Sequence, residues 1–273
     1  MSDVQVSSPP AEATGRKTEF AVRAITVDDI SEALTAGMRD FRAAPGYGLV
    51  FGIACTLFGI VFVETVMRSG YDYVVYPAIA GFTFVAPLAA IGLYETSRRL
   101  ERGETVSWRA VLSEIVSHGG RELGFMSLVT MFGLLAWVYS AAILYALFFG
   151  LQPADPGDII ASAVATPRGL VFLLVGNVVG AAMALVLFSV SVVSYPMLID
   201  RDVDFVTAMT TSIRVVSKSP APLIGWGIFV ATMTGIAILP MFLGLIVVLP
   251  LLGHASWHLY RRAIAVEGSA RFD

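Results

Sequence analysis

An all-α membrane fold is expected here: six transmembrane helices arranged as three hairpins, each preceded by a cytoplasmic amphipathic helix, with an internal repeat. Composition is the first reason. Of 273 residues 56% are hydrophobic and 14% charged, and mean hydropathy is +0.77. Soluble domains carry nearer to about 25% charge. The second reason is run length: apolar stretches of about 20 residues, at about 1.5 Å rise each, match a hydrocarbon core of about 30 Å. The third is the basic residues, which fall almost wholly in alternate connections.

The same numbers exclude several classes. Cys55 is the single cysteine, so neither an intramolecular disulfide nor a structural zinc site of cysteines is available. No strongly basic domain marks a nucleic-acid partner. The lipid bilayer is the expected partner.

In chain order, residues 1–20 are rich in Ser, Pro, Ala and Thr and have no apolar core. They read as a disordered cytoplasmic tail, not a signal peptide. A single membrane domain follows over 21–262, in units of about 26–102, 103–199 and 200–262, and 263–273 is a second cytoplasmic tail. Thr26 and Asp29 are spaced as a capping box, with Asp in place of Glu. Ile30, Ala33, Leu34, Met38 and Phe41 share one helical face, whereas Glu32, Arg39, Asp40 and Arg42 lie off it. Such a helix either lies on the bilayer or packs on the cytoplasmic face of the protein itself.

Residues 46–67 and 74–93 form the first two spans, joined by a short tyrosine-rich link. A polar segment over 95–122 contains a second amphipathic helix, marked by Trp108, Val111, Leu112, Ile115 and Val116. Spans three and four cover 123–149 and 169–197, separated by a proline-rich loop. Phe205, Ala208, Met209, Ile213 and Val216 mark the third amphipathic helix. Between Lys218 and Arg261 no Asp, Glu, Lys or Arg occurs, and those 42 residues are twice what one span needs. They divide into spans at 223–239 and 241–260 with a turn near Pro240, the alternative being a broken or re-entrant element.

Sixteen of the 18 basic residues then share one side, including Arg39, Arg42, Arg98, Arg99, Arg214, Arg261 and Arg262, which puts both termini in the cytoplasm. Only Arg68 and Arg168 fall on the other side. Shifted by 175 residues, Asp29, Ala33, Thr35, Arg39, Pro45 and Gly52 land on Asp204, Ala208, Thr210, Arg214, Pro220 and Gly227. Pro45 and Pro220 disfavour helix at the residue before them, so they turn the corner from surface helix to span.

Side chains for chemistry are few. Glu64 is the only carboxylate inside a predicted span, close to its outer end, and Arg68 is placed to pair with it at i,i+4. Asn177 is the most central amide and sits in Gly176-x-x-x-Gly180, a close-approach motif, which favours helix packing over ligand binding. Gly48-x-x-x-Gly52 and Gly120-x-x-x-Gly124 are further packing candidates. His254 and His258 have metal-ligand spacing, but lack the Glu of HExxH and read first as an interfacial pair beside Trp257 and Tyr260. No haem-attachment, P-loop or nucleophile-elbow motif occurs, so no catalytic residue and no cofactor is expected.

The run VRAITVDDISEALTAGMRDFRAAPGYGLVFG, with YPAIAGFTFVAPLAAIGLYETSRRLERGE after it, resembles a bacterial integral-membrane family known as a domain of unknown function. The resemblance spans 22–262 and is most specific at 39–45 and 92–103. It implies a bacterial inner-membrane setting. Some relatives carry a cytochrome c oxidase label, and this chain lacks the many intramembrane histidines that such a core needs. The resulting expectation is a non-catalytic accessory, assembly or scaffold component, with respiratory complexes among its partners. The alternatives are a small-solute transporter or channel, for which Glu64, Thr83, Tyr139 and Asn177 are the sparse polar groups, and a membrane enzyme acting on lipid.

Overall fold

The computed structural model describes residues 20–69, 90–117, 120–150 and 163–264. Three surface helices lead into apolar ones. α1 (Val27–Ala43) runs into α2 (Pro45–Arg68), α4 (Trp108–Ser117) precedes α5 (Gly120–Phe149), and α8 (Phe205–Lys218) runs into α9 (Pro220–Ile238). The others are α3 (Ile91–Glu101), α6 (Pro167–Ser191), α7 (Ser194–Asp200) and α10 (Leu245–Ala263).

Local chemistry sets these boundaries. The Thr26 hydroxyl accepts from the Asp29 amide, and the Asp29 carboxylate accepts from the Thr26 amide at 2.9 Å, which completes the capping box at the start of α1. Asp204 caps α8 by accepting from the Thr207 amide at 2.9 Å. The two corners match. Ala44 has φ −135° and ψ 55°, and Ser219 has φ −138° and ψ 61°, each ahead of a proline at the first position of the next helix.

Four helices are long and apolar enough to cross a membrane: Pro45–Arg68, Arg121–Phe149, Pro167–Asp200 and Pro220–Ile238. They correspond to the expected first, third, fourth and fifth spans. The expected second span lies outside the described residues as far as residue 89, and its described end opens α3, where Ile91–Ser97 are buried. The tails at 1–19 and 265–273, and most of the proline-rich loop, also lie outside the described residues.

The stretch after Lys218 does divide into two helices, with the turn near Pro240 as expected. α9 ends at Ile238, Met241 and Phe242 take left-handed φ of 53° and 65°, and α10 begins at Leu245. α10 carries two histidines and two arginines in its second half, and it is not among the four candidate spans. It is an inner helix, antiparallel to α2 and α1 in succession. Glycines make this possible. A Cβ on Gly52 would stand 2.6 Å from the Ile246 carbonyl oxygen, and one on Gly37 would stand 2.6 Å from the Ala255 nitrogen. Its first half therefore runs beside α2. From His254 onward it runs beside α1, beyond the Pro45 corner and outside the candidate spans.

This packing resolves the position of α1 and corrects its expected face. The helix packs on the protein's own α10, burying Asp29, Ala33, Ala36, Gly37 and Asp40. Glu32, Arg39 and Arg42 are exposed as expected, but Asp40 is not. Ile30 and Leu34 are half-buried at the edge of the core.

The core gathers at the end of the bundle that carries the surface helices, where Leu93, Met126, Tyr195, Trp226, Trp257 and Tyr260 are buried. The spans themselves are barely covered, with only 6% to 22% of their apolar windows buried within the chain. A terminal staple closes the polar end. Val22 bridges Ile264, the Arg23 amide donates to the Ala263 carbonyl at 2.8 Å, and the Ile25 amide donates to Ser219 Oγ at 2.8 Å.

Candidate functional site

Beyond the Pro45 corner, α1, α3 and α10 bring four polar side chains together in the interior. Ser97 Oγ lies 2.7 Å from His254 Nδ1, and His258 Nε2 lies 2.7 Å from Asp40 Oδ2. Which atom donates between Ser97 and His254 depends on the tautomer of the ring. His254 Nε2 is buried without a hydrogen-bond partner among the described residues.

Burial pushes the His254 pKa down to about 4, so the imidazole is neutral at physiological pH. Burial pulls the Asp40 carboxyl upward. The hydrogen bond with His258, the nearby Ser97 hydroxyl and the imidazoles outweigh that and hold it below the ordinary carboxylate range.

Around this cluster the basic residues of the bundle end are bound into ion pairs. Glu95, with no exposed surface, accepts from Arg98 Nε and Arg99 Nε, both at 2.6 Å. Asp200 accepts from Tyr260 at 2.8 Å, from Arg261 at 3.0 Å and from Arg102 at 3.3 Å. Glu101 accepts from the Trp257 indole at 3.0 Å and from Arg261 Nε at 2.9 Å. Arg262 reaches Asp29 at 3.3 Å and Glu32 at 2.6 Å. Arg261 and Arg262, expected as orientation markers, thus also join α10 to α1, α3 and α7, whereas Arg98 and Arg99 pair with Glu95 of their own helix.

What this arrangement can do chemically is restricted. Ser97 and His254 are in hydrogen-bond contact, but neither has exposed surface. Metal binding by the histidine pair would need both rings free to converge. His258 Nε2 is engaged by Asp40 and His254 Nδ1 by Ser97, and among the described residues no group of three or more His, Cys, Asp or Glu side chains is arranged to hold a metal ion.

The other expected positions stand apart from this cluster. Glu64 and Arg68 form the expected i,i+4 ion pair, 3.2 Å long and exposed at the far end of α2. Asn177 is exposed and donates to the Leu173 carbonyl of its own helix at 2.8 Å, so it does not join two helices. Gly180 does receive Trp137, but a Cβ on Gly176 or Gly124 would meet nothing. Arg214 Nη2 donates to Thr211 Oγ1 at 3.3 Å.

Sequence reasoning missed Asp40 and Ser97. One signal was present for Asp40. Ala33, Ala36 and Gly37 lie between two acids at helical spacing, which is a small-residue stripe suited to close helix approach. Ser97 had none, because its partner is 157 residues away.

No curated protein and no solved structure matches this chain. Residues 75–200, which run from the region of the second expected span through α7, match the family model DUF2189, described as a predicted integral membrane protein.

Proposed function

We propose that the chain is a non-catalytic, multi-pass protein of the bacterial inner membrane, serving as an accessory, assembly or scaffold component of a membrane complex, with respiratory complexes among its partners. One observation carries this reading: charges of the polar end are bound up in ion pairs within and between helices, while the apolar spans are left almost uncovered by their own chain. Uncovered apolar helices suit lipid and partner helices alike. Away from the helix ends, no charged side chain is buried in the four candidate spans among the described residues, so a polar path for a transporter or channel has no start there.

Six passes as three hairpins remain the proposed threading. Ser69 ends α2 on the far side, whereas Ala90 packs 3.4 Å from a Cβ on Gly253 near the polar layer. The chain has the residues between them in which to return. The matching corners at Ala44 and Ser219, 175 positions apart, support the repeat. Basic residues on the polar side support cytoplasmic termini.

A second reading, an enzyme acting on lipid, draws on the contact between Ser97 and His254, although neither has exposed surface. Purification from membranes in mild detergent, followed by mass spectrometry, separates these readings. The scaffold reading predicts stoichiometric recovery of a membrane complex. Recovery of the protein alone, with substrate-dependent thermal stabilisation, would overturn it.

A further inference from the structure

One carboxamide lies on the uncovered apolar surface. The span that contains α6 has no charged residue between Arg168 and Asp200, and only 6% of its apolar window is buried within the chain. Asn177 stands ten residues past Pro167, about 15 Å along the helix axis, which is half of a hydrocarbon core of about 30 Å. It is exposed there, so its side chain faces the middle of the bilayer.

Its hydrogen bonding is incomplete. Nδ2 donates to the Leu173 carbonyl at 2.8 Å. A carboxamide offers two N–H donors and an acceptor oxygen. The second N–H and Oδ1 have no partner among the described residues. Hydrocarbon supplies no water to satisfy them, and a neighbouring helix recovers that cost.

The surroundings decide what can approach. Leu170, Leu174, Ala181 and Leu185 follow one another around Asn177 at spacings of four, three, four and four, which places all five on one helical face. All five are exposed. The neighbouring α5 lies against a different face, where Gly180 receives Trp137 and Leu187 meets Gly133. Ala181, one turn from Asn177, is small enough to let a second backbone come close. The face has no charge to select a dissimilar partner, whereas a carboxamide complements itself, donor to acceptor. Two parallel copies about a twofold axis along the membrane normal bring Asn177 opposite its own counterpart, and each N–H then meets the other's oxygen.

We propose that this face of α6 is a homodimer interface, with the two Asn177 carboxamides hydrogen-bonded to each other near the bilayer midplane. The interface requires α6 to span the membrane and is independent of which complex the chain serves.

The test uses the full chain, purified alone with Cys55→Ser as background and reconstituted in phosphatidylethanolamine–phosphatidylglycerol vesicles. Energy transfer between labelled copies at rising lipid dilution reports the dimer, and oxidative cross-linking reports its face. An interhelical hydrogen bond in a membrane carries about tenfold in affinity, so Asn177→Leu should weaken the dimer about tenfold and Asn177→Gln should retain it. Asn177 bonds only within its own helix, so neither change disturbs the fold of the single chain. Ala181→Cys should form a disulfide-linked dimer. Leu135→Cys, 52% exposed on the side of α5 away from Gly133, should not. A monomer at every dilution, a dimer that Asn177→Leu leaves unchanged, or equal cross-linking at the two cysteines would overturn the interface. No other protein is present in these vesicles, so a failure here is separate from a failure of the scaffold reading, which recovery from membranes decides.

Discussion

Asp40 is the partner of His258, and it is only 7% exposed. Removing it leaves the largely buried His258 ring nitrogen without a partner, which costs about 2–4 kcal/mol. Asp40→Ala should therefore lower the thermal midpoint in detergent strongly. Asp28→Ala, at an exposed position on the same helix, should stay within about 0.5 kcal/mol. His254 makes a separate prediction. Its ordinary pKa is 6.5 and burial lowers it to about 4, so the unfolded chain takes up the proton first as pH falls. Stability should drop between pH 6.5 and 4 by up to about 3 kcal/mol. His254→Gln should flatten that part of the profile, measured by unfolding midpoint against pH. A slope that survives the substitution would assign the effect to another group. None of this was readable from sequence, because Asp40 and His258 are 218 residues apart and each looks like an ordinary surface residue on its own helix.

The helices themselves were far more legible. Apolar run length placed four spans to within a few residues, and the Thr26–Asp29 spacing and the two prolines placed the ends of α1 and α8, since these are local effects. The failures lie where packing partners decide. Gly-x-x-x-Gly occurs three times in the sequence, but only at Gly48 and Gly52 do both glycines face a neighbouring helix among the described residues. Gly52→Ala must push its Cβ against the Ile246 backbone at 2.6 Å, which costs about 1–3 kcal/mol. Gly176→Ala meets nothing and should be neutral or slightly stabilising, since alanine is the better helix former. Equal midpoints for these two variants in detergent would contradict the α2–α10 packing. α10 shows the same limit: the lack of charge between Lys218 and Arg261 was legible, but not that the second half of the helix continues past the corner to build the polar layer.

At the level of the whole molecule, the chain separates its two kinds of surface. Charge is collected, paired and stapled at one end, and apolar helices extend from it largely uncovered. Every functional reading depends on that polarity matching the two sides of the bilayer. Substituted-cysteine labelling in cells tests it directly. With Cys55→Ser as background, Ser69→Cys sits exposed at the far end of α2 and Ser31→Cys sits exposed on α1. A membrane-impermeant maleimide applied outside the inner membrane should modify Ser69→Cys at once and Ser31→Cys only after that membrane is opened. Modification of Ser31→Cys with the membrane sealed, or of both positions from the same side, would contradict the threading.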